Sequence, residues 1–326
     1  MEHADLSLEK CTDDETWDGF VRASPQGTTF SLSAFLAALD VGCERWVVLR
    51  RGQPVLATPL LVNDGIPIAA PYPMCVYHGI MLDSRSTTLP AHTRVSRTLD
   101  LVDFLLAQLS KVHDTMSFCL HHNFPDVRSL SWFGYHEPQL GRFHLDVRYS
   151  AVLDLAALDD LDGYLRTIRD ARRAEYLRAS DAGFSVEPRQ DLDSLERLHR
   201  LTFERQGIEL GAIERQVLRS AGAAMLAAGT GEFLACVAPT GEIASGTFFL
   251  RDDRSAYYWI GATDPEYRRT GAGTFALLES LRRSRAAGLA SADFVGVNSP
   301  DRGDYKTSFN AAPVLYMVAD WRRGVA

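Results

Sequence analysis

The stretch Tyr257-Tyr258-Trp259-Ile260-Gly261-Ala262-Thr263-Asp264-Pro265-Glu266-Tyr267-Arg268-Arg269-Thr270-Gly271-Ala272-Gly273 decides the fold. It reads as a β-rich run, then a turn introduced by Asp264-Pro265, then a helix opening through Gly271 and Gly273. The helix that follows, Gly273 to Ala287, carries Phe275, Leu277, Leu278 and Leu281 as its apolar residues. A helix start leaves its first N–H groups without intrahelical partners, and glycines let an anion approach them closely. Arg268 and Arg269 add positive charge beside them. Neither standard nucleotide motif fits: the Gly-x-x-x-x-Gly-Lys spacing is missing, and the glycines are too few for Gly-x-Gly-x-x-Gly.

Working outward, Phe233 to Val237, Ile243 to Leu250 and Ser255 to Ile260 form an expected antiparallel meander, with Thr240-Gly241 and Asp252-Asp253 at its turns. Upstream, Ala151 to Leu155 reads as a strand, Leu158 to Ser180 as one long Arg-rich helix ending before Gly183, and Leu192 to Arg205 as another helix. Downstream, Ala292 to Val295 and Val314 to Val318 read as strands. The first half has helices near Thr16 to Phe20, Ser33 to Leu39 and Leu99 to Leu109. Its strands are Trp46 to Leu49, Val55 to Val62 and Met116 to Leu120, the first two joined by the hairpin signal Arg51-Gly52-Gln53-Pro54. This order is an α/β layout with a mixed sheet. The boundary is expected near Asp146 to Tyr149, dividing the chain into 1–148 and 149–326.

The 326 residues are enough for two units of ordinary domain size. Lys plus Arg number 34 against 42 Asp plus Glu, a net charge of −8, which argues against broad coating by nucleic acid and leaves room for a local basic strip. The five cysteines are scattered, with no Cys-x-x-Cys pair, as expected of reduced thiols in the cytoplasm. The start Met1-Glu2-His3-Ala4-Asp5 is acidic where a leader is basic and then apolar, and no apolar run is long enough to span a membrane. His121-His122 are adjacent on an expected strand and so point to opposite faces; no metal site is expected there.

Arg268, Gly271 and Gly273 resemble the Arg/Gln-x-x-Gly-x-Gly/Ala acyl-coenzyme A loop of the GNAT acyltransferases. A second resemblance covers more of the chain. Asp293-Phe294-Val295-Gly296 followed by Tyr305-Lys306 and Phe309-Asn310 is similar to the C-terminal signature of Fem-type aminoacyltransferases. There Tyr305 stands for the first aromatic residue and Asn310 for a glycine. Thr28-Thr29-Phe30-Ser31, Pro71-Tyr72-Pro73 and Tyr77-His78-Gly79 resemble stretches of that family's first lobe, and the Arg-rich stretch after Leu158 resembles its long helix. The resemblance implies two tandem GNAT-like lobes, each a mixed, mostly antiparallel sheet flanked by helices. It also implies an amine acceptor held in the cleft between the lobes, and one donor loop, in the second lobe.

Forming an amide from an ester or thioester needs a neutral amine, a stabilised oxyanion and a protonated leaving group, but neither a covalent nucleophile nor a metal. With that chemistry, the residues expected to act directly are Lys306, Tyr305, Asp293 and Asn298. Arg268, Arg269, Gly271, Ala272 and Gly273 are expected to hold the donor. Arg172, Arg173, Tyr258, Trp259, Tyr77 and His78 are expected to contact substrate. Two donors remain open as co-substrates, with no tightly bound cofactor: aminoacyl-tRNA, favoured by Tyr305-Lys306 and the span of the resemblance, and acyl-CoA, favoured by the intact loop. The leading expectation is transfer of an amino acid to a small amine, with transient tRNA contact and no DNA partner. A protein that binds CoA or tRNA without turnover is the expectation of a different class.

Overall fold

The computed structural model describes residues 5–205, 207 and 209–324, apart from the side chains of Asp301 and Arg302. Residues 1–4, which belong to the acidic start, lie outside the described residues. Two compact units divide the chain. One runs up to Arg148 and resumes at Leu315; the other is Tyr149–Val314.

The first unit begins with β1 (Leu6–Lys10), α1 (Asp14–Ala23), α2 (Ser33–Ala37), β2 (Gly42–Arg50), β3 (Gln53–Asn63), β4 (Ile66–Pro67) and β5 (Met81–Leu82). It continues through α3 (Ala91–Leu109), β6 (Thr115–Cys119), α4 (Arg128–Trp132) and the start of β7 (Phe143–Asp154). Asp13 caps α1 by accepting from the Thr16 N–H at 2.7 Å. Strands β1 to β4 lie in chain order in an antiparallel sheet, with β5 also on β3. Val102, Leu105, Leu106 and Leu109 of α3 are buried as their spacing predicts, while Leu99 at the stripe's start is half-buried.

The second unit holds the end of β7, then α5 (Leu161–Thr167), α6 (Asp170–Asp181), β8 (Ser185–Arg189), α7 (Leu192–Glu204) and α8 (Ala212–Ala227). The meander β9 (Gly231–Val237), β10 (Ile243–Arg251) and β11 (Ser255–Thr263) follows, then α9 (Ala272–Ala286), β12 (Ser291–Asp293) and α10 (Pro300–Thr307). The strand order is β7-β12-β11-β10-β9-β8, antiparallel throughout except for the parallel pair β11–β12. One face is covered by α9, whose Leu277, Leu278 and Leu281 join Phe249, Phe294 and Phe309 in a closed core. The other face carries α7 and α8, with Leu198 and Gly222 against Gly246 and Trp259. This mixed, mostly antiparallel sheet flanked by helices is the expected fold class.

Three expectations need correction. The single helix over Leu158 to Ser180 is a 3-10 turn (Leu155–Asp159) and two helices, α5 and α6, broken at Ile168 and Arg169, whose backbone is extended. The break is tertiary: the Arg169 N–H donates to the Ser308 carbonyl at 3.0 Å, and its guanidinium grips Asp304 at 2.6 and 2.7 Å. The arginines of that stretch therefore do not share one helix face. The strand expected to reach Val295 ends at Asp293, because Val295 and Gly296 take φ of 25° and 71°. Finally, the last strand is β13 (Ala312–Arg322), and from Leu315 the chain returns to the first unit rather than completing the second. There β13 pairs with β6 from Val318↔Cys119 to Arg322↔Thr115, and Trp321 enters the core with Phe118 and Phe143.

Candidate functional site

The site arises where two parallel strands part. Pairing of β11 with β12 runs from Ser255↔Ser291 to Tyr257↔Asp293 and stops, while β11 continues to Thr263. Ligand sites in α/β sheets form at such carboxyl ends. Here a cavity of about 350 Å³ opens, lined by Tyr258, Gly261, Ala262 and Thr263 of β11, Ser245 of β10, Thr202 and Arg205 at the end of α7, Arg172 and Glu175 of α6, and Tyr305 of α10. The loop residues Arg268 and Gly271 and the first-turn residues Gly273 and Thr274 of α9 complete the lining.

Gly271 caps α9 in the left-handed region, with φ of 91°, and its carbonyl accepts the first intrahelical bond, from Phe275 N–H at 2.9 Å. A side chain on Gly271 would place Cβ 2.1 Å from the Glu175 carbonyl oxygen, so α6 lies directly on the cap. The Ala272 N–H is taken by Thr270 Oγ1 at 3.2 Å. Those of Gly273 and Thr274 have no intrahelical partner, being in the first turn. Arg268 is exposed on the cavity's rim and has no ion-pair partner among the described residues. Arg172 and Thr274 converge on one carboxylate oxygen: Arg172 Nη1 and Thr274 Oγ1 each donate to Glu175 Oε2 at 2.5 Å.

Two phenols wall the cavity. Tyr258 stacks on Phe249 at 5.3 Å between ring centroids, and burial holds its hydroxyl well above the ordinary tyrosine range. It lies along its own strand over Gly261, where a Cβ would sit 1.6 Å from its hydroxyl. Tyr305 carries the Arg172 guanidinium 4.9 Å above its ring, and burial pushes its phenol up to about 12. Both are therefore protonated at neutral pH and able to donate hydrogen bonds.

Lys306 is half-buried and is not on the cavity lining. Its ammonium donates to the carbonyl of Phe294 at 2.6 Å and to that of Val295, and lies 5.3 Å from the Tyr258 ring centroid. It thus clamps the left-handed turn that follows β12. Asp293, 3% exposed, accepts from Ser150 Oγ and from the Val295 N–H at 2.8 Å on the same turn. Asn298 Oδ1 accepts from the Tyr149 N–H at 2.7 Å, tying the next loop to β7. Lys306 and Asp293 thus hold the turn that follows β12, and Asn298 holds the loop after it.

The remaining expected residues are not gathered on this lining. Arg173 pairs with Asp170 at 3.1 Å, and the Arg269 carbonyl accepts from Arg178 at 2.9 Å. Ala272 is fully buried. Trp259 faces the opposite side of the sheet, 5.3 Å from Phe248. Tyr77 and His78 are each 1% exposed within the first unit. His78 Nε2 accepts from the Tyr72 N–H at 3.3 Å, its buried Nδ1 has no partner among the described residues, and burial lowers its pKa to about 4. His121 and His122 are not on a strand as expected: β6 ends at Cys119, and their rings lie 4.1 Å apart in the turn beyond it.

Glu175, Thr274, Thr202, Arg205, Ser245 and Gly261 line the cavity but do not stand out in the sequence. Thr274 alone had a usable signal, since it falls in the first turn after Gly271. A wider groove of about 650 Å³ elsewhere in this unit is lined by Arg197, Glu242, Asp264 and Tyr267, whose charged groups already pair with one another. Among the described residues no helix is long and apolar enough to cross a membrane.

Residues 164–307 match the family model described as an acetyltransferase (GNAT) domain. The crystal structure of FemX superposes with a TM-score of 0.70 at 13% identity, covering 95% of this chain and 96% of that one. A tandem GNAT protein from the clavulanic acid biosynthesis pathway matches with a TM-score of 0.55 at 15% identity over 98% and 99% of the two chains. L-PGS from Bacillus licheniformis matches with a TM-score of 0.53 at 12% identity over 96% and 93%. No curated protein matches the chain in sequence. A stretch of the second unit thus matches the GNAT domain model, and the chain as a whole has the fold of FemX and of the tandem GNAT protein, as the sequence motifs imply.

Proposed function

We propose that the protein is an amide-forming acyltransferase whose donor binds in the cavity at the start of α9. One observation carries this reading. An open helix N-terminus, an Arg268 with no ion-pair partner among the described residues, and two protonated phenols converge on a cavity between diverging parallel strands, within the stretch that matches the GNAT domain model. The N–H groups of Gly273 and Thr274 and the Arg268 guanidinium suit a donor phosphate. In the step itself, a neutral amine attacks the activated carbonyl, a C–N bond forms, and the C–O or C–S bond breaks. The amine loses its proton to solvent, and the leaving oxygen or sulfur gains one. Tyr305, kept protonated by burial, is the group proposed to hydrogen-bond the developing oxyanion. Lys306, Asp293 and Asn298 are proposed as positioning residues that hold the backbone leading into α10.

The donor proposed first is an amino acid esterified to tRNA and the acceptor a small amine. The Tyr305-Lys306 pair on α10, together with the similarity in fold to FemX over nearly the whole of both chains, supports that choice. A second reading, an acyl-CoA donor, is favoured by Arg268-x-x-Gly271-x-Gly273 and by the match to the acetyltransferase model. Incubation with charged tRNA, or with acetyl-CoA, and a panel of amines separates the two. RNase-sensitive amide formation supports the first, free-CoA release supports the second, and binding without product in both arms overturns the enzymatic reading.

A further inference from the structure

The geometry points to Glu175 as a specificity residue of the donor cavity: its carboxylate stands where the inner phosphate of a diphosphate would have to bind, and so excludes diphosphate-bearing donors. The inference deepens the proposed donor and rests on that reading of the cavity.

Glu175 reaches the start of α9 twice. Its carbonyl oxygen lies 2.1 Å from where a Cβ on Gly271 would be, which roofs the left-handed cap with α6 backbone. Its Oε2 is fixed at 2.5 Å by the hydroxyl of Thr274, a residue whose N–H is one of the two unclaimed groups of the first turn. The Arg172 guanidinium holds the same oxygen at 2.5 Å. That leaves Glu175 Oε1 with no hydrogen bond among the described residues, although its residue lines the cavity. A carboxylate is thereby held at the positive end of the α9 dipole, which is where an anion is most favoured.

Two consequences follow for a ligand. A diphosphate drawn to Gly273 and Thr274 would bring two or more negative charges within a few ångströms of this carboxylate, in a partly enclosed cavity where screening is weak. It also could not recruit Arg172, which Glu175 already neutralises. Among the described residues, the cations on the lining with no ion-pair partner are Arg205 and Arg268, which lie outside this contact and suit a single phosphate approaching from the rim. The site is therefore matched to an acyl group esterified to a nucleotide end that carries single phosphates, and mismatched to coenzyme A.

The test is calorimetric titration of the full-length protein with coenzyme A, ADP and AMP. Unaltered protein, Glu175→Gln and Glu175→Asp are compared, with a thermal melt of each to verify folding. Glu175→Gln should bind coenzyme A and ADP at least tenfold more tightly than the unaltered protein, while AMP changes less than threefold. Glu175→Asp, which keeps the charge, should stay close to the unaltered protein. Equal coenzyme A affinity in unaltered protein and Glu175→Gln overturns the proposal, as does a gain in Glu175→Asp matching that in Glu175→Gln. If Glu175→Gln melts early, Glu175→Ala is titrated in its place against the same thresholds. Amide formation from charged tRNA, assayed in parallel, separates the two claims. RNase-sensitive product with no Glu175 effect on coenzyme A sinks this inference alone; no product with the Glu175 effect intact sinks the aminoacyl reading alone.

Discussion

Gly271→Ala measures how closely α6 lies on the turn that opens α9, and Gly288→Ala is its internal control. Gly271 is the N-cap of α9 and Gly288 follows its C-cap, with φ of 91° and 87°. An alanine in that region costs about 1–2 kcal/mol, part of which is recovered from a stiffer unfolded chain, leaving roughly 1 kcal/mol at either position. The surroundings differ. At Gly288 nothing lies within 4 Å of the added carbon, whereas at Gly271 it meets Glu175 O, C and Cα at 2.1, 2.7 and 3.0 Å. Those are main-chain atoms of a packed helix and cannot rotate away, so overpacking adds about 2–3 kcal/mol. With a melting shift of ~2–4 °C per kcal/mol for a unit of this size, Gly288→Ala should lower the melting temperature by roughly 2–4 °C and Gly271→Ala by roughly 6–16 °C. Asparagine separates conformation from contact, since it tolerates the left-handed region yet still has a Cβ. Gly288→Asn should be near neutral and Gly271→Asn should not. Thermal melts and AMP titration are the assays; because the clash displaces Glu175 and Arg172, binding should weaken at position 271 alone. Equal losses at the two positions would refute the contact between α6 and the loop.

Lys306→Met removes two charge-assisted bonds to the Phe294 and Val295 carbonyls. It should cost about 1–3 kcal/mol of stability and at least tenfold in amide formation; an unchanged melt together with unchanged turnover would remove Lys306 from the site. Gly261→Ala drives a carbon to 1.6 Å from the Tyr258 hydroxyl, so Tyr258 must leave its place on the cavity wall. The donor KM should rise at least tenfold, and a KM within twofold would mean that Tyr258 does not line the donor path. His78 is buried and neutral, with its pKa lowered to about 4 from a usual 6.5. Because the folded pKa is depressed, the folded protein binds fewer protons than the unfolded one between those values. Stability should therefore be complete above pH ~6.5 and fall by roughly 3 kcal/mol as the pH drops to ~4. Urea unfolding across that range should show the slope, and His78→Gln should flatten it; an equal slope in both would assign the loss elsewhere.

Much of the second unit was legible because its signals are local. The meander, the Asp264-Pro265 turn, Gly271 ahead of an apolar stripe, and the aromatic–Lys pair all lie within a few residues of the structure they specify. The Arg-rich stretch misled for the opposite reason. Helical propensity runs on through Ile168 and Arg169, but Asp304 and Ser308, more than 130 residues later, pull Arg169 out of the helix. The motif singles out Lys306, yet its carbonyl partners depend on a backbone turn that a lysine's chemistry does not announce.

The sequence by itself determined the α/β class and the glycine turn that opens α9, since periodicity, turn residues and glycine spacing act over short range. Tertiary structure alone decided which cations stay free, because pairing depends on what each helix meets: Arg172 is spent on Glu175, Arg169 on Asp304, and Arg268 on no residue described. It also decided that the chain's last strand, β13, completes the first unit, since strand partners are chosen by which edge and core remain open after the rest has packed.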